Sequence, residues 1–267
     1  LPTFCLDPAL FTSDIFGFPQ MGRYRARLLL ESAREVRENL RGRGSELHII
    51  QRSPSEALPD LCQAMGANTI IFHAGATTEQ RNEDAAVSDV LIRLGVEVLR
   101  LFDITLYEPS DLPWVIPQHP QNCFNRFRHA VRLKVPRVPL DGLGDGKRLP
   151  PLPSPIPGGG GKLPSLHGLG YARDPLAATA AGTRAAPAVH ALRGGEVTAL
   201  LQLRAELSRA AQSSYEAPNL SSLEPWLELG CLSPRTVYAE AAAFRSSCPT
   251  VWHAVEFYLQ MRDHFVF

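Results

Sequence analysis

The chain has 267 residues, of which 45% are hydrophobic, so it has enough apolar material for two domains with separate cores. Its 27 basic residues balance its 27 acidic residues, which excludes a uniformly basic surface and leaves nucleic-acid binding to local clusters of charge. Five scattered cysteines without C-x-x-C spacing argue against a disulfide framework and against a zinc site.

No stretch of the sequence has the length and apolar character of a membrane helix, and no charged and then apolar leader is found. We therefore expect an intracellular protein, cytoplasmic or nuclear, without a membrane partner. The chain begins at Leu1 rather than at a methionine, which predicts a fragment and leaves an organelle open as a location. The sequence does not indicate an oligomeric state.

The first part of the chain alternates short apolar runs with amphipathic segments. The apolar runs predict strands at 1–6, 47–51, 69–72 and 96–102, and the amphipathic segments predict helices at 24–40, 54–65 and 78–94. Ser53 and Pro54 mark the start of the second helix, which Pro59 should kink. Strands separated by crossover helices imply a parallel sheet that is covered on both faces.

The composition changes after Trp114, where proline and glycine replace the periodic pattern. Residues 149–161 contain five prolines and then four consecutive glycines, which is typical of a linker. Helical patterns return at 196–211, 234–243 and 250–267. The sequence thus predicts an α/β region followed by an all-α region.

The most informative run lies at 225–235 and reads Pro-Trp-Leu-Glu-Leu-Gly-Cys-Leu-Ser-Pro-Arg. Neither core packing nor helical periodicity requires this order, so the run suggests a ligand-binding helical domain. It resembles the photolyase/cryptochrome family, and most closely the DASH branch, whose members carry a near-identical segment at the edge of their flavin pocket.

The resemblance extends in order along nearly the whole chain. Segment 1–8 resembles the second strand of the family's antenna domain, 105–113 the loop that ends that domain, and 194–200 the start of the flavin-binding helices. The resemblance implies a photolyase-type α/β domain with a Rossmann-like parallel sheet at 1–115, a Pro/Gly-rich crossover linker at 116–194, and part of a helical FAD-binding domain at 195–267.

The resemblance implies a blue-light flavoprotein, either a photoreceptor or a DNA-repair enzyme of the deoxyribodipyrimidine photolyase type. Family members hold FAD in the helical domain, often with a folate antenna near the first domain. Their excited reduced flavin passes an electron to a cyclobutane pyrimidine dimer flipped out of DNA. The DASH branch prefers single-stranded DNA, in which the dimer is already unpaired and is easier to extrude.

Carried over position by position, the resemblance implies a set of flavin-contacting residues: Tyr215, Ser221, Ser222, Leu223 and Trp226. Ser221 and Ser222 fall where the family cradles the flavin diphosphate. Hydroxyls and N–H groups at the start of a helix suit such an anion. The alternative is that these serines only cap the helix that contains Trp226, and that Trp226 is a core residue.

The resemblance also implies DNA-facing residues: Arg235, Tyr258, Arg262 and Asp263. An arginine at 235 suits a phosphate, but it equally suits a carboxylate, and Asp263 suits a helix cap. Tyr258 stands where the family has a glutamate that hydrogen-bonds the lesion, and a neutral phenol cannot replace a carboxylate acceptor in kind. No catalytic residue and no metal ligand is predicted.

A basic run at 126–137 without acidic residues is a second candidate for nucleic-acid contact. Its basic side chains suit phosphates, and the aromatic ring of Phe127 lies among them in the sequence. The alternative is a solvated crossover segment.

The chain also departs from the family. The segment between Tyr215 and Pro225 is shorter than its counterpart, and the family's first strand, which is central in a sheet of order 3-2-1-4-5, has no match here. We expect strands 1–6 and 69–72 to lack backbone partners in a buried setting, and the chain alone to fold poorly. The alternative function is a non-catalytic relative without flavin that acts as a nucleotide-binding or protein-interaction module.

Overall fold

The computed structural model describes residues 1–12, 17, 19–112, 123–132, 134, 147–154, 156, 161–171, 192–213 and 217–266. The strands within this part are β1 (Thr3–Cys5), β2 (His48–Ile50), β3 (Thr69–His73) and β4 (Glu97–Leu101). The α-helices within it are α1 (Arg23–Gly42), α2 (Pro54–Met65), α3 (Thr78–Arg93), α4 (Phe124–Val131), α5 (Glu196–Gln212), α6 (Glu224–Glu228), α7 (Pro234–Ala242) and α8 (Pro249–Val266). Of the helices in these ranges, none is long and apolar enough to cross a bilayer.

The strands and helices that periodicity predicts are present, with ends that differ by a few residues. α2 continues through Pro59. α3 starts with a capping box, in which Gln80 N–H donates to the Thr77 hydroxyl (3.2 Å) and Thr77 N–H donates to the Gln80 side-chain oxygen (3.1 Å). α4 is a helix that the pattern does not predict, because its 8 residues are too few to show a repeating period.

The strands form two two-stranded sheets rather than one. β1 and β2 are parallel, with Phe4 opposite Ile49. β3 and β4 run in the same direction, because Glu97 N–H at the start of β4 donates to Asn68 O at the start of β3 (2.8 Å). No bridge joins β1 to β3 in the described ranges, and Ile71 of β3 is 60% exposed. The setting of β3 is therefore more open than the buried one expected from the sequence.

The chain divides into two compact units. Unit 1 comprises residues 1–100 and 144–195, and unit 2 comprises residues 101–143 and 196–267. A cluster of buried side chains from α2, α3 and the start of β4 forms a core in unit 1: Cys62, Val87, Leu91 and Val96. Ile70 and Val98 extend this core from one face of the β3–β4 sheet.

Part of the Pro/Gly-rich segment lies along the outer edge of β2. The Arg37 guanidinium donates to Gly161 O (3.2 Å), and the Gln51 side-chain amide donates to Lys162 O (3.3 Å). Gly161 is so close to β2 that a side-chain carbon there would overlap the carbonyl oxygen of Ile49. These residues therefore cover a sheet edge in unit 1 and are not a free linker.

α8 is the central helix of unit 2, where it packs against α4, α5 and α7. Large side chains that are almost completely buried fill the space between these helices: Phe127, Leu203, Leu207, Leu223, Leu227, Val237 and Leu259. Burial of this many large apolar groups supplies the main stabilisation of the unit.

Candidate functional site

A cavity of about 670 Å³ lies between α8 and the segment that precedes α6. This cavity, called the helical cavity below, is lined by Arg128, Ala217, Pro218, Asn219, Leu220, Ser221, His253, Ala254, Phe257, Tyr258 and Met261. Aromatic and apolar groups alternate there with a cation, a hydroxyl and an imidazole. Small-molecule sites have this mixed character and volumes of ~300–1,000 Å³.

One face of α8 supplies the apolar wall of the helical cavity. Ala254, Phe257 and Met261 follow one another at steps of three and four residues, which places them on the same side of a helix. Val255 and Leu259 lie on the other side and are buried. α8 therefore serves the core with one face and the cavity with the other.

Arg128 of α4 places a fixed cation at the cavity wall. Its guanidinium carbon lies 5.5 Å from the centre of the Phe257 ring, within the range of a cation–π contact. Its Nε donates to the side-chain oxygen of Gln260 (3.2 Å), and the Gln260 amide donates to the Tyr107 hydroxyl (3.0 Å). Burial raises the pKa of Tyr107 to about 12, so this hydroxyl keeps its proton near neutral pH.

The two predicted diphosphate-binding serines differ in position. Ser221 lines the helical cavity, and Ser222 is not among the lining residues. The Ser221 hydroxyl donates to Asn219 Oδ1 (2.8 Å), and the Ser222 hydroxyl donates to Asn219 O (2.6 Å). Neither serine is the N-cap of α6, which is Leu223. The serines therefore order the short turn before α6, and Ser221 keeps oxygen lone pairs available in the cavity.

The remaining predicted flavin contacts are core residues or lie outside the described ranges. Leu223 is completely buried and Trp226 is 3% exposed, so both pack in the interior of unit 2. This agrees with the alternative in which Trp226 is a core residue. Tyr215 lies outside the residues that the structure describes.

Tyr258 reaches the helical cavity from α8 and is held by a carboxylate. Its hydroxyl donates to Glu224 Oε1, and Arg262 Nε lies 3.5 Å from Glu224 Oε2. Burial and the adjacent Glu224 raise the pKa of Tyr258 well above its ordinary value. Tyr258 is therefore a neutral phenol that donates its hydroxyl proton to Glu224. Its oxygen can still accept a hydrogen bond.

Asp263 binds two backbone N–H groups in the interior of unit 2. Its Oδ1 accepts from Leu106 N (3.0 Å) and its Oδ2 accepts from Tyr107 N (3.0 Å), and the residue is completely buried. Burial raises the pKa of Asp263 to about 7, against the lowering effect of the two N–H donors and of Arg262 and Arg235. Asp263 caps a loop and not a helix.

The two arginines of the predicted DNA-facing set hold the same loop. Arg235 donates to Phe102 O (3.3 Å) and pairs with Glu108 (2.9 Å), and Arg262 donates to Ile104 O. The side chains of Arg235 and Arg262 are 14% and 15% exposed. We call Arg235, Arg262 and Asp263, with residues 102–108, the loop bracket. Its polar groups are directed into unit 2, and a phosphate contact by either arginine would require these bonds to open.

Sequence reasoning missed the residues that build most of the helical cavity. Phe257, Met261 and His253 lie in a helix that is apolar around most of its surface, so its pattern does not separate a lining face from a core face. Arg128 belongs to the basic run that the sequence singles out, and its partner Gln260 is 132 residues away. The spacing of 254, 257 and 261 could have indicated that these residues share one face of a helix, but not that this face lines a cavity.

Comparison with known proteins assigns the chain to a family. The family model described as DNA photolyase matches residues 1–153. Cryptochrome DASH of Gloeobacter violaceus is 31% identical over 277 residues, which cover 99% of this chain and 52% of the relative. Cryptochrome DASH of Xenopus laevis is 31% identical over 282 residues, which cover 100% of this chain and 51% of the relative.

Among solved structures, a cryptochrome of Synechocystis sp. PCC6803 matches with a TM-score of 0.82 and 26% identity, covering 99% of this chain and 54% of that chain. The chain thus belongs to the DNA photolyase family, whose members include FAD-binding flavoproteins of DNA repair and blue-light sensing. The predicted resemblance to the photolyase/cryptochrome family and its DASH branch is confirmed. The chain spans about half the length of the curated relatives it matches.

Proposed function

We propose that this chain carries part of the FAD site of a DASH-type blue-light flavoprotein, and that the residues lining the helical cavity contact the cofactor. The observation that carries the proposal is the convergence of α8, Arg128 and Ser221 on one cavity, whose lining segment 217–221 comes shortly before the 225–235 run in the chain. The resemblance independently assigns that run to the edge of a flavin pocket.

The residues present fit such a cofactor. Phe257 and Met261 offer an apolar surface for a flat ring system, and Tyr258 offers a hydrogen-bond acceptor at its edge. Arg128 and Ser221 supply a cation and a hydroxyl of the kind that phosphate groups bind. When bound, the flavin would supply light absorption and electron transfer, and the chain's own residues would fix its position and exclude water.

DNA is the proposed partner, preferentially single-stranded, with repair of cyclobutane pyrimidine dimers as the proposed output. The support is membership in a family named for DNA photolyase, together with the DASH relatives. In the described ranges Tyr258 is the predicted DNA-facing residue that lines an open cavity, whereas Arg235, Arg262 and Asp263 hold the loop bracket. A folate antenna and an intracellular location stay predictions.

The proposal is tested by titrating FAD into the purified chain and following flavin fluorescence and the absorption band at about 450 nm. We expect roughly one flavin per chain. Phe257→Ala removes the ring beneath Arg128 and should weaken binding about tenfold or more. Phe265→Ala is the matched control, because this ring is on the same helix, is 80% exposed and does not line the cavity.

Equal binding by the two variants would overturn the placement of FAD in the helical cavity. A folded chain that binds no flavin would favour the second candidate, the flavin-free interaction module. The inward direction of Arg235, Arg262 and Asp263 favours that candidate, because their charges already serve the fold.

A further inference from the structure

The FAD proposal leaves most of the basic residues of α4 without a role. Phe127 and Val131 are completely buried and fix one side of this helix in the interior of unit 2. The other sides are exposed and carry basic side chains, which continue into the residues just after the helix: Arg126, Arg128, His129, Arg132 and Lys134. We call these five residues the α4 basic face.

The positive charge of the α4 basic face is not neutralised by carboxylates in the described part of the chain. The sequence has no Asp or Glu between Asp111 and Asp141. Among the residues that the structure describes, none forms an ion pair with an arginine or lysine of this face, whereas Arg235 and Arg262 of the same unit each contact a carboxylate. Neighbouring like charges repel one another, so an anion that binds across several of them stabilises the surface.

The cations of this face form a row that begins at the helical cavity. Arg128 lines the cavity, and Arg132 follows it one helical turn later, ~6 Å along the axis and on the same side of α4. Lys134 comes two residues later in the chain, and Arg126 and His129 are neighbours on another side of the helix. Such a row suits a polymer with regularly repeated anionic groups, and the phosphodiester backbone of a nucleic acid is one.

An aromatic ring lies at the start of this row. Phe124 precedes Arg128 by four residues, so the two side chains share one side of α4. Phe124 is partly exposed, and its ring meets that of Phe257 edge to face, with 5.1 Å between the ring centroids. A fixed aromatic ring beside a row of cations offers a stacking surface to an unpaired base, whereas the bases of a duplex already stack on each other. The arrangement therefore favours a single strand.

We propose that the α4 basic face binds single-stranded nucleic acid, with backbone phosphates on Arg126, Arg132 and Lys134 and an unpaired base against Phe124. The inference rests on the proposed DNA partner and deepens it, because it names the surface that holds the strand next to the helical cavity. The contacts go to phosphates and to the face of a base, so binding does not depend on base sequence. Because the phosphates release counterions when they bind, binding weakens as the salt concentration rises.

The test follows the fluorescence anisotropy of a labelled oligothymidine of about 12 nucleotides as the whole chain is added. The triple variant Arg126→Gln, Arg132→Gln, Lys134→Gln removes three phosphate contacts. We expect it to bind about tenfold or more weakly at low salt, and the slope of log affinity against log salt to fall by about 2. A duplex of the same length should bind the unaltered chain less tightly.

A matched control carries the same loss of charge at exposed positions of unit 1: Arg34→Gln, Arg81→Gln and Lys147→Gln. It should bind oligothymidine like the unaltered chain, with circular dichroism and Tm confirming that both triple variants fold. Phe124→Leu keeps an apolar side chain but removes the flat ring, and it should weaken binding severalfold without changing the salt slope.

The outcomes separate this surface from the proposed function. Both triple variants keep Arg128 and the rest of the helical cavity, so FAD binding should be the same in both. Equal binding of oligothymidine by the two variants would overturn the α4 surface and leave the DNA partner in place. No binding by the unaltered chain would overturn both. Equally tight binding of poly-glutamate or of phosphatidylserine vesicles would show a general anion surface and would overturn the assignment to nucleic acid.

Discussion

The helical cavity of unit 2 and a cavity of unit 1 that is lined by β1, β3, α2 and α3 differ in how their walls satisfy the backbone. Most residues that line the helical cavity belong to α4 and α8, whose backbone is hydrogen-bonded within the helix, and the nearby loop at 102–108 is held by the side chains of the loop bracket. The unit 1 cavity is instead lined in part by residues of strands at sheet edges, among them Thr3, Cys5 and Ile71. A cavity lined by the side chains of helices has the character of a small-molecule site, whereas strand edges offer mainly backbone hydrogen-bonding groups.

The largest effect is expected from removing a side chain of the loop bracket. Asp263→Ala leaves the N–H groups of Leu106 and Tyr107 unpaired in the interior, so we expect unit 2 to lose about 3 kcal/mol or more of its free energy of unfolding. Urea denaturation followed by tryptophan fluorescence measures this loss. Glu240→Ala is the control, because its partner Arg204 is largely exposed and the change should be below about 1 kcal/mol. Equal losses in the two variants would mean that Asp263 does not hold the loop.

A smaller effect is expected from the arginine side of the bracket. Arg235→Ala removes the shielded partner of Glu108 and should lower the free energy of unfolding by about 1–3 kcal/mol. Arg204→Ala removes a pair of similar geometry with Glu240 at the surface, where solvent screens the charges and the loss should be clearly smaller. If the order of the two losses is reversed, Arg235 is free to serve another ligand.

The smallest effect concerns pH. Burial raises the pKa of Asp263 to about 7 in the folded chain, above the ordinary value of about 4 expected on unfolding. The folded state then holds more protons between these values, so the contribution of Asp263 to stability is greatest at low pH and falls as the pH rises toward 7. Asp263→Asn should flatten this part of the profile of unfolding free energy against pH. A profile unchanged by Asp263→Asn would show that the carboxyl titrates normally.

Much of the fold follows from sequence periodicity. The strands and helices of the α/β region were predictable because each alternates with a segment of a different period, and Thr77 and Gln80 mark a helix start. α4 was not predictable, since it is short and lies beside residues without a repeating pattern. The division into two sheets differs from the single parallel sheet that was expected, because periodicity does not specify which strands pair.

The candidate site was less predictable than the fold. Ser221 and Tyr258 were expected at a site, and both line the helical cavity. Trp226 belongs to the 225–235 run and Asp263 is a DNA-facing position that the resemblance implies, yet both are buried. The partners of Asp263 are more than 150 residues away in the chain, and no local pattern encodes such a pairing. A motif can therefore identify a family while its residues maintain the scaffold around the site.

The close approach of Gly161 to β2 protects one edge of the β1–β2 sheet. Any larger residue at 161 would push the covering segment away from Ile49 and leave the outer edge of that sheet bare. Bare edges recruit strands from other molecules, which is the first step of fibrillar aggregation. We therefore expect a larger residue at position 161 to favour aggregation.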